Sequence, residues 1–293
     1  MNKTIHDWFL FLLLSLIWGS SFILIKIGLD NHLGAFQIAS IRIVSAGLVL
    51  FPIAISSFRK IPVTKLKYVF LSGLLGSLIP AFLFCIAEEE IDSSLAGILN
   101  CLTPIFVIVI GALFFNTQTS RKKILGVVIA FAGCVLLLIS NGHMQESRHL
   151  LYLSFIVLAT IFYAVNVQLV SRHLVSIPSL QIAAVALGLN ALLASIILIA
   201  TGYFSLSFTN TAVWVASGAA VVLGIAGTAI ATIIFYALVK SAGGLFASMV
   251  TYGIPFVAIA WGIYYNESFS IVKIACLFII LLGIYLANKK VKT

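Results

Sequence analysis

The sequence predicts an all-α polytopic membrane protein with ten transmembrane helices arranged as two inverted five-helix repeats. Three observations carry that expectation. Of 293 residues, 62% are hydrophobic and 9% charged, with a mean hydropathy of +1.21, whereas a soluble domain carries about a quarter charged residues. The apolar residues form continuous runs, and a helix needs about 20 such residues to cross a bilayer. A stretch containing proline and glycine recurs at a fixed offset. Too little polar surface exists to cover a water-facing globule, which excludes a cytosolic protein, a disordered chain and a collagen-like fibre.

The runs are justified in order along the chain. The first, 8–29, follows Lys3, is too long for a cleaved signal and ends on no A-x-A-like site. The second covers 35–56. The third, 66–87, ends on Glu88, Glu89 and Glu90. The fourth, 93–115, contains Pro104, and the fifth, 123–140, follows Arg121, Lys122 and Lys123. The sixth, 150–171, leads into Arg172 and His173, and the seventh, 179–200, holds Asn190. The eighth, 213–239, is the longest and carries Gly218, Gly224 and Gly227. The ninth, 245–265, contains Pro255, and the tenth, 271–288, precedes Lys289. Continuous rather than alternating apolar character argues for helices over barrel strands. The gaps 141–149 and 201–212 are too short to build a soluble domain, so the chain divides into repeats 1–143 and 144–293.

Basic residues orient the bundle. With the N-terminus inside, thirteen fall on the inner side: Lys3, Arg59, Lys60, Lys65, Lys67, Arg121, Lys122, Lys123, Arg172, Lys240, Lys289, Lys290 and Lys292. Only Arg148 and Lys273 fall outside. This bias predicts cytoplasmic termini and an even helix count. Of the acids, only Asp7 lies inside, while Asp30, Glu88, Glu89, Glu90, Asp92, Glu146 and Glu267 lie outside. The net charge of +9 is therefore an orientation signal rather than a nucleic-acid surface. Cys85, Cys101, Cys134 and Cys276 each lie in an apolar run without zinc spacing and are expected as buried small hydrophobes.

The repeat is visible in LAGILNCLTPIFVIVIGALFFN (95–116) and LFASMVTYGIPFVAIAWGIYYN (245–266). Pro104 aligns with Pro255, Gly111 with Gly262 and Asn100 with Thr251, all at an offset of 151. Five helices per repeat is odd, so the second copy enters the membrane inverted. Such repeats build secondary transporters with a substrate site near the midplane.

These residues carry a family resemblance. Trp18-Gly19-Ser20-Ser21-Phe22, Arg42, the Pro104 span and the run Ala247–Glu267 resemble the drug/metabolite transporter superfamily, specifically its EamA-type members. The resemblance implies ten helices in two inverted repeats and a central cavity lined mainly by helices 1, 3, 4, 6, 8 and 9. It also implies export of amino acids or other small metabolites. Asn116 stands where many members carry an acid, and the Glu88–Glu90 run is unusual.

No phosphate loop G-x-x-x-x-G-K-[ST], no H-E-x-x-H and no G-x-S-x-G occurs. No enzyme, cofactor or metal is expected. Polar groups within the runs are the remaining signal, because ionisable residues in hydrocarbon mark cavities or partners. The substrate-binding candidates are Trp18, Phe22, Phe84, Asn100, Thr103, Tyr163, Asn166, Tyr236, Thr251 and Tyr252. Asn100 and Thr103 precede Pro104 as Thr251 and Tyr252 precede Pro255. A proline frees a carbonyl that cavity water or neighbours must satisfy. The gating or coupling candidates are Lys26, Arg42, Glu88, Gly227, Pro104 and Pro255. Lys26 and Arg42 would form a basic outer vestibule, unless Lys26 snorkels and pairs with Asp30 at i+4. Glu88, desolvated, would bind and release a proton.

The expected function is secondary transport of an amino acid or similar apolar or zwitterionic solute across a bacterial inner membrane by alternating access, with export implied by the resemblance. The alternatives are a phosphosugar or nucleotide-sugar antiporter, an integral-membrane enzyme and a non-transporting receptor. Expected partners are the lipid bilayer and a small-molecule substrate, with no nucleic acid. A monomer is compatible with the sequence.

Overall fold

The computed structural model describes residues 4–140, 149–264 and 271–288, and every regular element among them is helical. Helix α1 (Ile5–Asp30) opens on a capping box. Thr4 Oγ1 accepts from the Asp7 amide at 3.2 Å, and the Asp7 carboxylate accepts from the Thr4 amide at 2.8 Å. Helix α2 is Ala35–Phe58. Helices α3 (Val63–Gly73) and α4 (Ile79–Ala87) are joined by a π-helical stretch, Leu74–Leu78. Helices α5 (Ser93–Leu99) and α6 (Thr103–Phe115) are joined by a 3₁₀ turn, Asn100–Leu102, and α7 (Arg121–Ser140) follows. The order then recurs. Helices α8 (His149–His173) and α9 (Ser179–Ala200) precede α10 (Thr211–Gly224) and α11 (Ala231–Ala242), which are joined by a π-helical stretch, Ile225–Ile230. Helices α12 (Gly244–Ser248) and α13 (Ile254–Tyr264) flank the 3₁₀ segment Met249–Gly253, and α14 is Ile271–Asn288.

Among the described residues, seven helical stretches are long and apolar enough to cross a membrane: Ile5–Asp30, Ala35–Phe58, Val63–Ala87, Leu95–Phe115, Leu150–His173, Ser179–Ala200 and Thr211–Ala242. Two shorter apolar helices are Gly244–Val257 and Ile274–Asn288. Helix covers each apolar run expected from the sequence, with edges displaced by a few residues. The last residue of the expected ninth run, 265, lies outside the described residues.

The interruptions have local causes. Pro104 and Pro255 are each the second residue of a helix. Each lacks an amide hydrogen and crowds the carbonyl four residues back, and the turn before it tightens to 3₁₀. The π-helical stretches contain no proline; Leu74 and Ile225, where they begin, stand 151 residues apart. That is the same offset as Pro104 to Pro255.

The halves interlock. Helix α1 packs against α10, α11 and α13, while α8 packs against α4 and α6. Helices α7 and α14 approach at Gly126 and Gly283. A Cβ on Gly126 would lie 2.3 Å from the Ala287 amide nitrogen, and one on Gly283 2.3 Å from that of Ala130. Small residues allow this backbone approach in lipid, where dispersion replaces the hydrophobic effect between helices. The outward faces are apolar, with Phe9, Leu12 and Leu16 exposed along α1. That arrangement suits acyl chains.

Candidate functional site

A central cavity with about 820 Å³ of atom-free space, mouth included, opens among α1, α2, α4, α6, α8, α11, α12 and the non-α turns. Helix α1 contributes Trp18 and Phe22, one turn apart on one face. Helix α4 contributes Phe84, and α8 contributes Tyr163 and Asn166. The first 3₁₀ turn supplies Asn100, and Thr103 follows at the start of α6. Tyr236 comes from α11, Thr251 from the second 3₁₀ segment, and Gly227 from the second π-helical stretch. Arg42 reaches in from α2.

Hydrogen bonds fix much of this wall. Ser72 Oγ donates to Asn166 Oδ1 at 2.7 Å and, with its single proton used, accepts from the Tyr236 hydroxyl at 2.8 Å. This relay ties α3, α8 and α11 together. Trp18 Nε1 donates to the Gly227 carbonyl at 3.1 Å, tying α1 to the second π-helical stretch. Thr103 Oγ1 donates to Asn100 Oδ1 at 3.1 Å, and Thr251 Oγ1 to the Ser248 carbonyl at 3.1 Å. The aromatic walls pack ring on ring. Phe22 and Phe84 are edge-on with centroids 5.8 Å apart, and Phe84 stacks on Tyr163 at 6.1 Å. Trp18 lies 5.2 Å from Phe235.

The structure parts the two cations that the sequence places near the outer ends of the first spans. Lys26 stays exposed at the end of α1 and pairs with Asp30 at 3.3 Å. Arg42 lines the cavity and donates through Nε to Thr228 Oγ1 at 2.7 Å. Thr228 in turn donates to the Leu223 carbonyl five residues back at 3.4 Å, a reach that suits the π-helical register.

Tyr252 falls outside the cavity lining, and its hydroxyl donates to the Val127 carbonyl of α7 at 3.1 Å. Pro104 and Pro255 are buried behind the wall they shape. His173, just beyond the sixth apolar run, stacks on Tyr68 with centroids 4.2 Å apart. Glu267 lies outside the described residues.

Glu88 caps the end of α4, just beyond the Val63–Ala87 membrane stretch, and is 8% exposed. Ser93 Oγ lies 2.6 Å from Glu88 Oε2 and 3.3 Å from the Phe22 carbonyl, while Glu88 Oε1 has no partner. Burial pushes the Glu88 carboxyl up to about 8, against the opposing pull of the Ser93 hydrogen bond and of the charges on Arg42 and Lys26. A protonated carboxyl can donate to Ser93 and leave the Ser93 hydroxyl free to donate to the Phe22 carbonyl, a chain the ionised form cannot complete.

Sequence reasoning missed Ser21, Gly76, Ser77, Thr228, Thr232, Phe235 and Ser248, all of which face the cavity. The repeat held the signal. The 151-residue offset that pairs Pro104 with Pro255 also pairs Phe84 with Phe235, Gly76 with Gly227 and Ser77 with Thr228.

With this geometry in place, comparison with known proteins decides the family. The model of the EamA-like transporter family matches the chain twice, at residues 8–139 and 150–289. The chain belongs to the EamA-like transporter family. Among its relatives, a Salmonella typhimurium protein named "Probable amino-acid metabolite efflux pump" is 31% identical over 152 residues, 50% of this chain and 49% of that protein. Protein PagO of the same organism is 24% identical over 286 residues, 94% of this chain and 91% of its own. The "Probable terminal-alkyne amino-acid exporter" of Streptantibioticus cattleyicolor is 23% identical over 129 residues, 43% of this chain and 42% of its own. The chain thus spans about half the length of the two relatives named for amino acids. A solved crystal structure with 17% sequence identity shares the fold, with a TM-score of 0.73 over 98% of this chain and 97% of that one. The described residues of this EamA-family chain include several helices long and apolar enough to cross a membrane.

Proposed function

We propose that this EamA-family transporter moves an amino acid or similar small apolar or zwitterionic metabolite out of the cell across the bacterial inner membrane. It has ten transmembrane helices in two inverted repeats, 1–143 and 144–293, with both termini cytoplasmic. The observation that carries the reading is the cavity's position. It lies where the four interrupted helix pairs meet, so hydroxyls, amides and aromatic rings face one space. Helix breaks that recur at 151 residues and two separate family matches support the repeat. The distribution of basic residues supports the orientation. The names of the relatives support amino acids as cargo and export as direction.

Alternating access follows from the same construction. Closely packed small-residue interfaces let the halves rock, and π-helical and 3₁₀ interruptions supply bending points beside the cargo. The outer rings Phe22, Phe84 and Tyr163 and the Glu88–Ser93 pair form one gate. The inner gate is the contact of Asp7 with Ser241, whose hydroxyl donates at 2.6 Å, together with Trp8 packed edge-on against Phe246 at 5.1 Å. A phosphosugar or nucleotide-sugar cargo would call for several cations at the phosphate; among the cavity-lining residues Arg42 is the one cation. The test is growth of an overexpressing strain on toxic amino-acid analogues, paired with efflux of labelled amino acids from loaded cells. Resistance with faster efflux supports the reading, and neither effect across the analogue set refutes it.

A further inference from the structure

The cavity carries one fixed charge and no fixed charge of opposite sign. Arg42 is the cation, and no Asp or Glu lines the space. Its Nε is committed to Thr228 Oγ1. Among the described residues no acceptor takes a hydrogen from either Nη, and no carboxylate lies within ion-pair distance. A guanidinium keeps its charge at every physiological pH. In a membrane bundle such a group is retained at a cost and finds a partner. Glu88, a buried acid that feels the charge of Arg42, stands outside the lining and is already hydrogen-bonded to Ser93. The unengaged Nη edge matches the spacing of two carboxylate oxygens. Around it Trp18, Phe22, Phe84, Tyr163 and Phe235 offer apolar and aromatic walls to the rest of a small molecule.

We propose that Arg42 is the anchor for the carboxylate of the transported solute, and that an amine on that solute is dispensable because no acid lines the cavity to receive it. The substrate class is the small monocarboxylate with an apolar or aromatic body. Amino acids belong to it through their carboxylate, and N-acylated amino acids belong to it equally. This deepens the proposed transport function and rests on the same cavity. Tying Nε to Thr228 holds the fork steady, so little side-chain entropy is lost when the carboxylate arrives.

The test separates binding from flux. Purified full-length protein in detergent is melted in the presence of a thiol-reactive fluorophore, which reports unfolding through the buried free thiols of Cys85, Cys101, Cys134 and Cys276. The probes are phenylalanine, N-acetylphenylalanine and phenylalaninamide, each also used labelled in proteoliposomes. The first two are expected to stabilise the protein with similar apparent Kd. The amide, which keeps the amine and loses the carboxylate charge, is expected to bind roughly tenfold to a hundredfold more weakly. Arg42→Gln should erase that difference, and Arg42→Lys should keep part of it, each still melting in one cooperative transition. Equal binding of acid and amide by the wild type, an unchanged preference in Arg42→Gln, weak binding of the N-acetyl probe, or no binding by either carboxylate overturns the proposal. Binding with the expected preference but without flux would overturn the transport reading and leave the anchor standing. Equal flux of all three probes would do the reverse.

Discussion

Gly76 and Gly227 occupy equivalent places in the two π-helical stretches and both face the cavity, yet a methyl group meets different neighbours at each. A Cβ on Gly76 would lie 2.2 Å from Asn166 Nδ2 and 2.6 Å from Asn166 Cγ, where ordinary contact begins at 3.4 Å. Asn166 would have to retreat by about 1 Å, which its 2.7 Å hydrogen bond from Ser72 does not survive. Ser72 also receives Tyr236, so one methyl breaks a relay that joins three helices. Leaving a buried amide oxygen unsatisfied costs about 1–3 kcal/mol. A Cβ on Gly227 would meet Ser21 Oγ at 2.8 Å and Leu223 Cδ1 at 3.0 Å, both at the mobile ends of side chains. Gly227→Ala should therefore cost less than about 1 kcal/mol. The assay is thermal unfolding followed by thiol labelling, with transport measured on the same preparations. Gly76→Ala should melt several degrees lower and transport more slowly, and Asn166→Ser should rescue part of both losses when combined with it, as coupled neighbours do. Gly76→Ala behaving as wild type, or Gly227→Ala proving the more damaging of the two, would refute the reasoning.

Gly227→Leu should insert normally but stop transport, because its side chain enters the cavity beside Ser21; expression with unchanged flux would contradict this. In Glu88→Gln a pH-dependent component of stability should vanish. The folded carboxyl titrates near 8, and its ordinary value is 4.5. The folded state therefore holds the proton more tightly, and wild-type stability falls across that window and levels above it. Identical pH profiles for the two proteins would remove Glu88 as a proton-binding group. Lys26→Ala should change stability by no more than about 0.5 kcal/mol, since its pair with Asp30 is solvent-exposed, and should leave transport within about twofold. A severe transport defect would place Lys26 in the pathway.

The helices were legible because lipid leaves a spanning chain few choices: backbone polar groups must be satisfied within the segment, so long apolar runs become helices. Pro104 and Pro255 mark in the sequence where a helix loses a backbone donor, but not that the turn before each tightens to 3₁₀. The π-helical stretches were not legible either, because glycine permits such a distortion without demanding it. Side-chain direction was the harder quantity. Thr251 and Tyr252 are adjacent and looked equivalent, but successive residues of a 3₁₀ turn point about 120° apart. Thr251 faces the cavity, while Tyr252 reaches α7. For Lys26 the sequence offers two readings, a basic vestibule shared with Arg42 or a pair with Asp30 at i+4, and the structure shows the pair. Asp30 one turn beyond Lys26 supplied a local partner, whereas Arg42 has no acid at that spacing and finds Thr228 across the bundle. Phe235 was within reach of the sequence, had the repeat offset been applied to Phe84.

The central claim, that this cavity carries a small solute across the membrane, is tested most directly by flux. Purified wild-type protein in liposomes preloaded with unlabelled phenylalanine should take up labelled phenylalanine by saturable counterflow, and Gly227→Leu liposomes of equal protein content should not. Uptake no faster than in protein-free liposomes, or equal uptake by wild type and Gly227→Leu, would contradict the account.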